Sequence, residues 1–151
     1  MILYHASDVE VRVPEIRPTA YAKDFSFGFY CTANYEQAVR WARRDRNLTP
    51  QINHYAFEEI PGLRLKRFPE MTDEWLDFIA ACRRGESHSY DLVEGPMAND
   101  TIWNFVNDFV AGTISREAFW ALAKFRYPTH QICFHTEDSL KSLRFVKCEN
   151  V

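Results

Sequence analysis

A histidine at position 5 is the first residue of the chain whose chemistry could serve a ligand. It ends the strand-like run "ILYH" and is followed by Ala6 and Ser7, which are small enough to let another group approach the backbone. An imidazole ring offers a directional donor or acceptor to a hydroxyl group. A lone histidine is more often a core or surface residue satisfied by backbone partners. A binding role for His5 therefore requires partners elsewhere in the chain.

Two aromatic residues, Tyr30 and Trp41, are candidate partners. They lie in "FGFYCTANYEQAVRWA", residues 27–42, where an aromatic strand leads into a helix. A strand ring and a helix ring could hold a flat, positively charged ring between them, with an attraction of about 1–2 kcal/mol per desolvated ring. The alternative is core packing, because the 12 Phe, 7 Tyr and 4 Trp residues imply either a ring-filled core or a pocket that stacks flat ligands.

Polar residues also gather around a Gly-Pro turn in "YDLVEGPMAND", residues 90–100. Asp91, Asn99 and Asp100 could converge on a cleft there, and helix capping explains Asn99 or Asp100 equally well. Arg83 could meet a pyrophosphate, although a favourable charge at a helix C-terminus explains it better. No metal site is predicted, because the four cysteines form no CxxC pair and the histidines no HExxH spacing.

The elements that must position these residues are short strands and well-capped helices. Strands are predicted at residues 2–5, 28–31, 53–57, 63–68, 90–94, 131–135 and 143–147. Helices are predicted at residues 35–46, 73–84, 100–111, 116–125 and 138–143. Thr72 and Ser115 are expected N-caps, and Gly85 and Gly112 are expected helix stops. Because the order is irregular and GxGxxG is absent, the pattern predicts an α+β domain with a mostly antiparallel core.

Composition and charge narrow the class of protein. The chain has 151 residues, 46% of them hydrophobic and 26% charged, which is typical of one globular domain spanning residues 1–151. A net charge of -3 argues against a protein that holds nucleic acid mainly by counterion release. With no secretory signal or long apolar run, the sequence predicts no membrane association and a cytoplasmic location.

Three short motifs resemble the strand motifs of a known enzyme clan. "LYHAS", "FGFYCTANYEQAVRWA" and "HQICFHT" occur in the order of the H-Y-E motifs of the diphtheria-toxin-like and poly(ADP-ribose) polymerase-like ADP-ribosyltransferases. Over residues 2–146 the chain resembles, more closely, a small bacterial family of unknown function assigned to that clan. The resemblance implies an ADP-ribosyltransferase-like fold, with a split, mostly antiparallel β core, flanking helices and a cleft for NAD.

The resemblance also implies roles for individual residues. His5 would hydrogen-bond the adenosine ribose, while the backbone that follows it, at Ala6 and Ser7, would pair with the nicotinamide carboxamide. Tyr30 and Trp41 would hold the nicotinamide ring between them. NAD is then the substrate, and no metal is required.

The third motif departs from the clan, because Gln131 stands where the clan has a glutamate. A glutamine can hydrogen-bond the nicotinamide ribose but carries no charge and is no general base. Asn99 or Asp100 is a candidate compensating catalytic group. The expected activity is mono-ADP-ribosylation of a protein or nucleic-acid acceptor, by an intracellular bacterial toxin or defence effector with a possible antitoxin. A non-catalytic NAD, ADP-ribose or nucleotide-binding module and an NAD glycohydrolase are the alternatives.

From the sequence alone, Gln131→Glu is expected to give equal or faster NAD cleavage. The exchange restores the clan's carboxylate and would place a negative charge beside the developing ribosyl cation. Release of nicotinamide from NAD by purified wild type and variant measures the effect. A slower variant with an unchanged fold would contradict the expectation.

Overall fold

The computed structural model describes residues 1–18, 23–44, 49–98, 100–123 and 129–151, with Asp100 described by its backbone alone. The strands are β1 (Ile2–Ser7), β2 (Phe29–Cys31), β3 (Gln51–Phe57), β4 (Leu65–Arg67), β5 (Leu92–Gly95), β6 (Gln131–Phe134) and β7 (Leu143–Asn150). The helices are α1 (Tyr35–Ala42), α2 (Asp73–Arg83), α3 (Asp100–Val110), α4 (Arg116–Leu122) and α5 (Glu137–Leu140).

The strands form two sheets. The first has the order β1-β3-β7 and is antiparallel throughout, and the second has the order β2-β6-β5-β4. Only the β4–β5 pairing is parallel among the strand pairs described. A bridge between Tyr4 and Thr32 joins the two sheets where β1 meets β2. The expected α+β class is confirmed, with one antiparallel and one mixed sheet, while the ADP-ribosyltransferase-like arrangement stays a prediction.

Each of the seven predicted strands is present, with different ends. The largest difference is in β7, which was expected to stop at Lys147 and continues to Asn150. Cys148, Glu149 and Asn150 carry little strand propensity of their own, but they pair with the first residues of β3. Backbone pairing with a neighbouring strand therefore overrides local propensity there.

The helix ends follow the capping residues. The hydroxyl of Thr72 accepts a hydrogen bond from the Trp75 N–H, and that of Ser115 accepts one from the Ala118 N–H. Gly85 and Gly112 adopt positive φ angles of 87° and 75°, which end their helices as expected.

Three helices end more than one residue earlier than predicted. The helix expected at residues 116–125 is Arg116–Leu122 with Ala123 as its C-cap, and its expected end at Phe125 lies outside the described residues. The last helix, expected at residues 138–143, is Glu137–Leu140, because Thr136 caps it one residue earlier and Leu143 already belongs to β7. The first helix ends at Ala42 with Arg43 as its C-cap. Arg46, its expected end, lies outside the described residues.

Aromatic residues fill two apolar clusters. The larger one lies between α2, α3, α4 and the second sheet and includes the fully buried Phe25, Trp75 and Phe119. The other lies between the two sheets and includes Tyr55 and Phe134. The ring-filled core offered by the composition is therefore present, and it leaves other rings to line a cleft. None of the described helices is long and apolar enough to cross a membrane.

Gly28 leads into β2 at a point where no side chain fits. A Cβ atom built on it would lie 2.5 Å from the sulfur of Cys133 and 2.6 Å from the carbonyl oxygen of Phe134. The sulfur could move, but the carbonyl oxygen belongs to the backbone of β6. Glycine is therefore required where β2 packs against β6.

Gly28→Ala is expected to lower the free energy of unfolding by about 1–3 kcal/mol, since overpacking displaces the β2–β6 pairing. Chemical denaturation measures the loss, and Phe27→Ala is the control, because Phe27 is 42% exposed and its loss should matter little. Adding Cys133→Ala should recover only part of the stability. Full recovery would show that the sulfur, and not the backbone, excludes a side chain.

Candidate functional site

A cleft with a volume of about 600 Å³ lies beside the junction of the two sheets. The described residues that line it come from β1, β2, β6, α1, α3 and the segments around residues 23–24 and 97–98. They are His5, Ala6, Lys23, Asp24, Tyr30, Trp41, Arg44, Met97, Ala98, Trp103 and Gln131. Five of the residues singled out in the sequence therefore meet in one cavity: His5, Ala6, Tyr30, Trp41 and Gln131.

His5 is held as a neutral ring. Its Nδ1 lies 2.7 Å from the carbonyl oxygen of Tyr30, to which it donates, and the ring stacks on Phe29 with centroids 4.1 Å apart. Burial lowers the pKa of His5 to about 4, and the nearby charge of Lys23 adds to the effect. In this tautomer Nε2 carries a lone pair, so His5 offers a hydrogen-bond acceptor to the cleft.

Tyr30 contributes a fixed ring rather than a reactive hydroxyl. The hydroxyl donates to the carbonyl oxygen of Ser26 at 2.5 Å and accepts from the Phe25 N–H at 3.1 Å. Burial raises the pKa of Tyr30 well above its usual value. The Nζ of Lys23 lies 4.9 Å from the ring centroid, so this face of the cleft carries a cation against an aromatic surface.

Trp41 reaches the cleft from α1, and a buried glutamine sets the position of that helix. The side chain of Gln37 donates to the His130 carbonyl oxygen at 2.6 Å and accepts from the His130 N–H at 3.1 Å. Gln37 is only 1% exposed, so both bonds are shielded from water. Since Trp41 lies one turn after Gln37 and Gln131 follows His130, the two hydrogen bonds fix the indole relative to Gln131.

Gln131 lies at the inner wall of the cleft beside a carboxylate that the sequence did not point out. Its Nε2 donates to Asp24 Oδ2 at 3.0 Å and to the Pro96 carbonyl oxygen at 3.3 Å. The Asp24 carboxylate also accepts from the Ala98 N–H at 2.8 Å and from Arg83 Nη2 at 2.5 Å. Gln131 thus belongs to a buried polar cluster and lines the cleft.

Several other predicted site residues lie elsewhere. Ser7 is not among the described residues lining the cleft, and its hydroxyl accepts from the Val9 N–H. Asp91 holds backbone together, accepting from the Arg64 N–H and from the Thr136 hydroxyl, so it does not converge on the cleft. Asn99 lies outside the described residues, as does the side chain of Asp100.

Arg83 lies in the last turn of α2, as the favourable charge at a helix C-terminus requires. Its side chain is 2% exposed and bound to Asp24, so it is not available to a ligand pyrophosphate. The guanidinium lies 3.7 Å from the Trp103 ring centroid. The sequence did not predict that Arg83 is buried, because its partner Asp24 lies 59 positions away in the chain.

Family comparison adds one finding. The sequence profile of a family described as a protein of unknown function, DUF3990, matches residues 1–145. The chain belongs to the DUF3990 family. No curated protein matches the chain significantly. Among its described residues, no group of three or more His, Cys, Asp or Glu side chains could hold a metal ion.

Six residues that line the cleft of this DUF3990 chain are not among the site residues named from the sequence: Lys23, Asp24, Arg44, Met97, Ala98 and Trp103. Asp24 could have been noticed, because it opens the aromatic run "DFSFGFY". Trp103 and Met97 had no such signal, since each stands among apolar residues typical of a core. Their place in the cleft depends on how α3 and the segment after β5 pack against the second sheet.

The low pKa of His5 makes stability depend on pH. The unfolded chain, with an ordinary histidine pKa of 6.5, binds this proton before the folded chain, whose value is about 4. The contribution of His5 to stability is therefore fully present above pH 6.5 and is lost as the pH falls toward 4. The carboxyl groups with lowered pKa, such as Asp91 and Glu94, have ordinary values of 3.8 and 4.5, so they lose most of their contribution below about pH 5.

The free energy of unfolding is thus expected to fall between pH 7 and pH 5, and His5→Gln should remove on the order of 1 kcal/mol of that fall. Urea titrations at the two pH values measure it. Burial also lowers the pKa of His135 to about 4, so His135 should account for the pH dependence that remains in His5→Gln. Identical pH dependence in wild type and His5→Gln would show that His5 is not buried in its neutral form.

Proposed function

We propose that this DUF3990 protein is an NAD-dependent mono-ADP-ribosyltransferase with an ADP-ribosyltransferase-like fold. The observation that carries the proposal is that His5, Tyr30, Trp41 and Gln131, the positions the clan resemblance marks for NAD, all line one cleft. They come from four elements, β1, β2, α1 and β6, so their meeting does not follow from nearness in sequence. The proposed setting is a bacterial cell, as a toxin or defence effector.

The nicotinamide end of NAD fits the ring-lined part of the cleft. Tyr30 and Trp41 both line it, and the proposal places the nicotinamide ring between them. Stacking and cation–π attraction would favour the positively charged pyridinium over neutral nicotinamide. This preference stabilises bound NAD and does not retain the released nicotinamide.

The backbone of β1 supports a second contact to the same ring. Tyr4 exchanges two hydrogen bonds with Thr32, donating at 2.8 Å and accepting at 2.9 Å, on the side away from β3. Because backbone groups alternate along a strand, Ala6 directs its N–H and C=O to the same side as Tyr4. An N–H beside a C=O matches the two faces of the nicotinamide carboxamide.

The charge of the cleft fits the rest of NAD. Lys23 and Arg44 both line it, and two cations suit a ligand that carries a diphosphate. The volume of about 600 Å³ lies within the range of roughly 300–1,000 Å³ usual for small-ligand sites. The neutral His5 offers Nε2 to a ribose hydroxyl, as the clan resemblance implies.

The reaction would break the bond between the ribose carbon and the nicotinamide nitrogen. Nicotinamide leaves with the bonding electrons, and an acceptor nucleophile attacks the resulting ribosyl cation, losing its proton to solvent or a base. The residues of the cleft orient the ribose and shield the cation. An uncharged Gln131 suits one transfer rather than polymer formation.

A binding module is the second candidate, and Gln131 is the observation that favours it. Its Nε2 is already occupied inside the protein and it carries no charge, so it adds little to cation stabilisation. Incubation with labelled NAD distinguishes the candidates. Label on a macromolecule indicates transfer, free ADP-ribose indicates hydrolysis, and bound intact NAD indicates a sensor. Treating a labelled lysate with protease or nuclease then identifies a protein or nucleic-acid acceptor.

Trp41→Ala is expected to weaken NAD binding by about 1–3 kcal/mol, the range for losing a stacking ring. Isothermal titration with intact NAD measures it. Trp120→Ala is the matched control, because Trp120 lies on α4, does not line the cleft and donates its indole N–H to Asp73. Both variants need a thermal unfolding curve, so that loss of fold is not read as loss of binding. Equal NAD affinity in folded Trp41→Ala and wild type would remove the ring sandwich.

A further inference from the structure

The orientation of the Gln131 side-chain amide is set by its surroundings. Nε2 faces two acceptors, Asp24 Oδ2 and the carbonyl oxygen of Pro96, and the side chain is 3% exposed. A flipped amide would place Oε1 against both of these oxygens, without a hydrogen bond to either. An amide nitrogen has two protons, and both are accounted for here. Oε1 is the polar atom of Gln131 that remains for a ligand.

Asp24 can impose this orientation because it is itself immobile. Arg83 donates to its Oδ1 and the Ala98 N–H to its Oδ2, so neither oxygen is free to turn. Arg83 is in turn held by the carbonyl oxygen of Trp103 at 3.2 Å and by Asn107 Oδ1 at 3.0 Å. The cluster thus connects α2, α3, the segment after β5 and β6 around one carboxylate.

Stability is a weak explanation for this cluster. Burying a carboxylate and a guanidinium costs desolvation energy that their attraction barely returns, and apolar residues of similar size often do as well. Asp24 lies at the wall of the ring-lined cleft. The position of the carboxylate indicates that it orients the side chain of Gln131.

We propose that Asp24 is a positioning residue, which holds Gln131 so that Oε1 accepts a hydrogen bond from a ligand hydroxyl in the cleft. That this hydroxyl belongs to the nicotinamide ribose rests on the proposed function. The orientation itself does not. Gln131 then presents one acceptor oxygen in the cleft, as one oxygen of a carboxylate would, but without the charge.

The proposal reverses the expectation drawn from the sequence for Gln131→Glu. A glutamate there would bring a second carboxylate to about the 3.0 Å at which Gln131 now meets Asp24, and both would be acceptors. The new side chain should move away or be protonated. Gln131→Glu alone is therefore expected to bind NAD about tenfold more weakly, instead of cleaving it faster.

The reciprocal exchange is the decisive variant. In Asp24→Asn the residue keeps its oxygen toward Arg83 and turns an N–H₂ toward Gln131 and the Ala98 N–H. The Gln131 amide should then flip, and NAD binding should weaken about tenfold. In Asp24→Asn/Gln131→Glu the new amide donates to one glutamate oxygen and the other oxygen stays an acceptor in the cleft. Because the new amide still faces the Ala98 N–H and the glutamate faces the Pro96 carbonyl oxygen, NAD affinity should recover only in part, to above that of both single variants, which a double-mutant cycle reports as coupling.

A readout without ligand tests the orientation directly in wild type. The chain has three glutamines, Gln37, Gln51 and Gln131, so isotope-labelled glutamine gives three pairs of side-chain amide signals. The Gln131 protons should exchange with solvent as slowly as those of Gln37, which is also buried and hydrogen-bonded, and more slowly than those of Gln51. Asp24→Asn should abolish this protection in the folded variant. If the variant does not fold, the exchange rates of the wild-type protein still test the orientation.

Two results would overturn the proposal: Gln131 protons that exchange as fast as those of Gln51, or a double variant that binds NAD more weakly than both single variants.

Failure of the proposed function would give different results. A wild type that binds NAD without releasing nicotinamide, with Gln131 protected and the exchange partly restoring affinity, supports the orientation and leaves a binding module. A wild type with protected Gln131 protons and no affinity for NAD or ADP-ribose overturns the assignment of the hydroxyl to the ribose.

Discussion

The buried ion pair between Asp24 and Arg83 is the interaction on which the shape of the cleft depends. The two side chains are 5% and 2% exposed and meet at 2.5 Å, so each charge has left water and requires the other. Losing one partner would strand a buried charge at a cost of about 3–5 kcal/mol. With both present, the segment before β2 is tied to the last turn of α2, and the inner wall of the cleft is set by charge as well as by apolar packing.

This pair also leaves the cleft with an uneven charge. The negative charge of Asp24 is compensated by the buried Arg83, His5 is neutral, and Gln131 is uncharged. Lys23 and Arg44 also line the cleft, and each carries a positive charge. Under the proposed function, these two cations would face the diphosphate of NAD.

The aromatic residues show how one residue type serves two purposes. Trp75 is fully buried on α2 and donates its indole N–H to the Pro96 carbonyl oxygen at 3.0 Å, the same oxygen that Gln131 approaches. Trp41 and Trp103, with comparable sequence surroundings, line the cleft instead. A core tryptophan therefore supports the wall on which the site residues are placed, through its hydrogen bond to Pro96.

The sequence by itself determined the local elements, because a cap such as Thr72 or a stop such as Gly85 acts on the few residues beside it. It also pointed to Gln131 and its companions, through motifs that were legible only by resemblance to a known clan. The tertiary structure alone decided what Gln131 touches. Asp24 and Arg83 lie far from it and from each other along the chain, and no periodicity or propensity records which side chains folding will bring within hydrogen-bond distance.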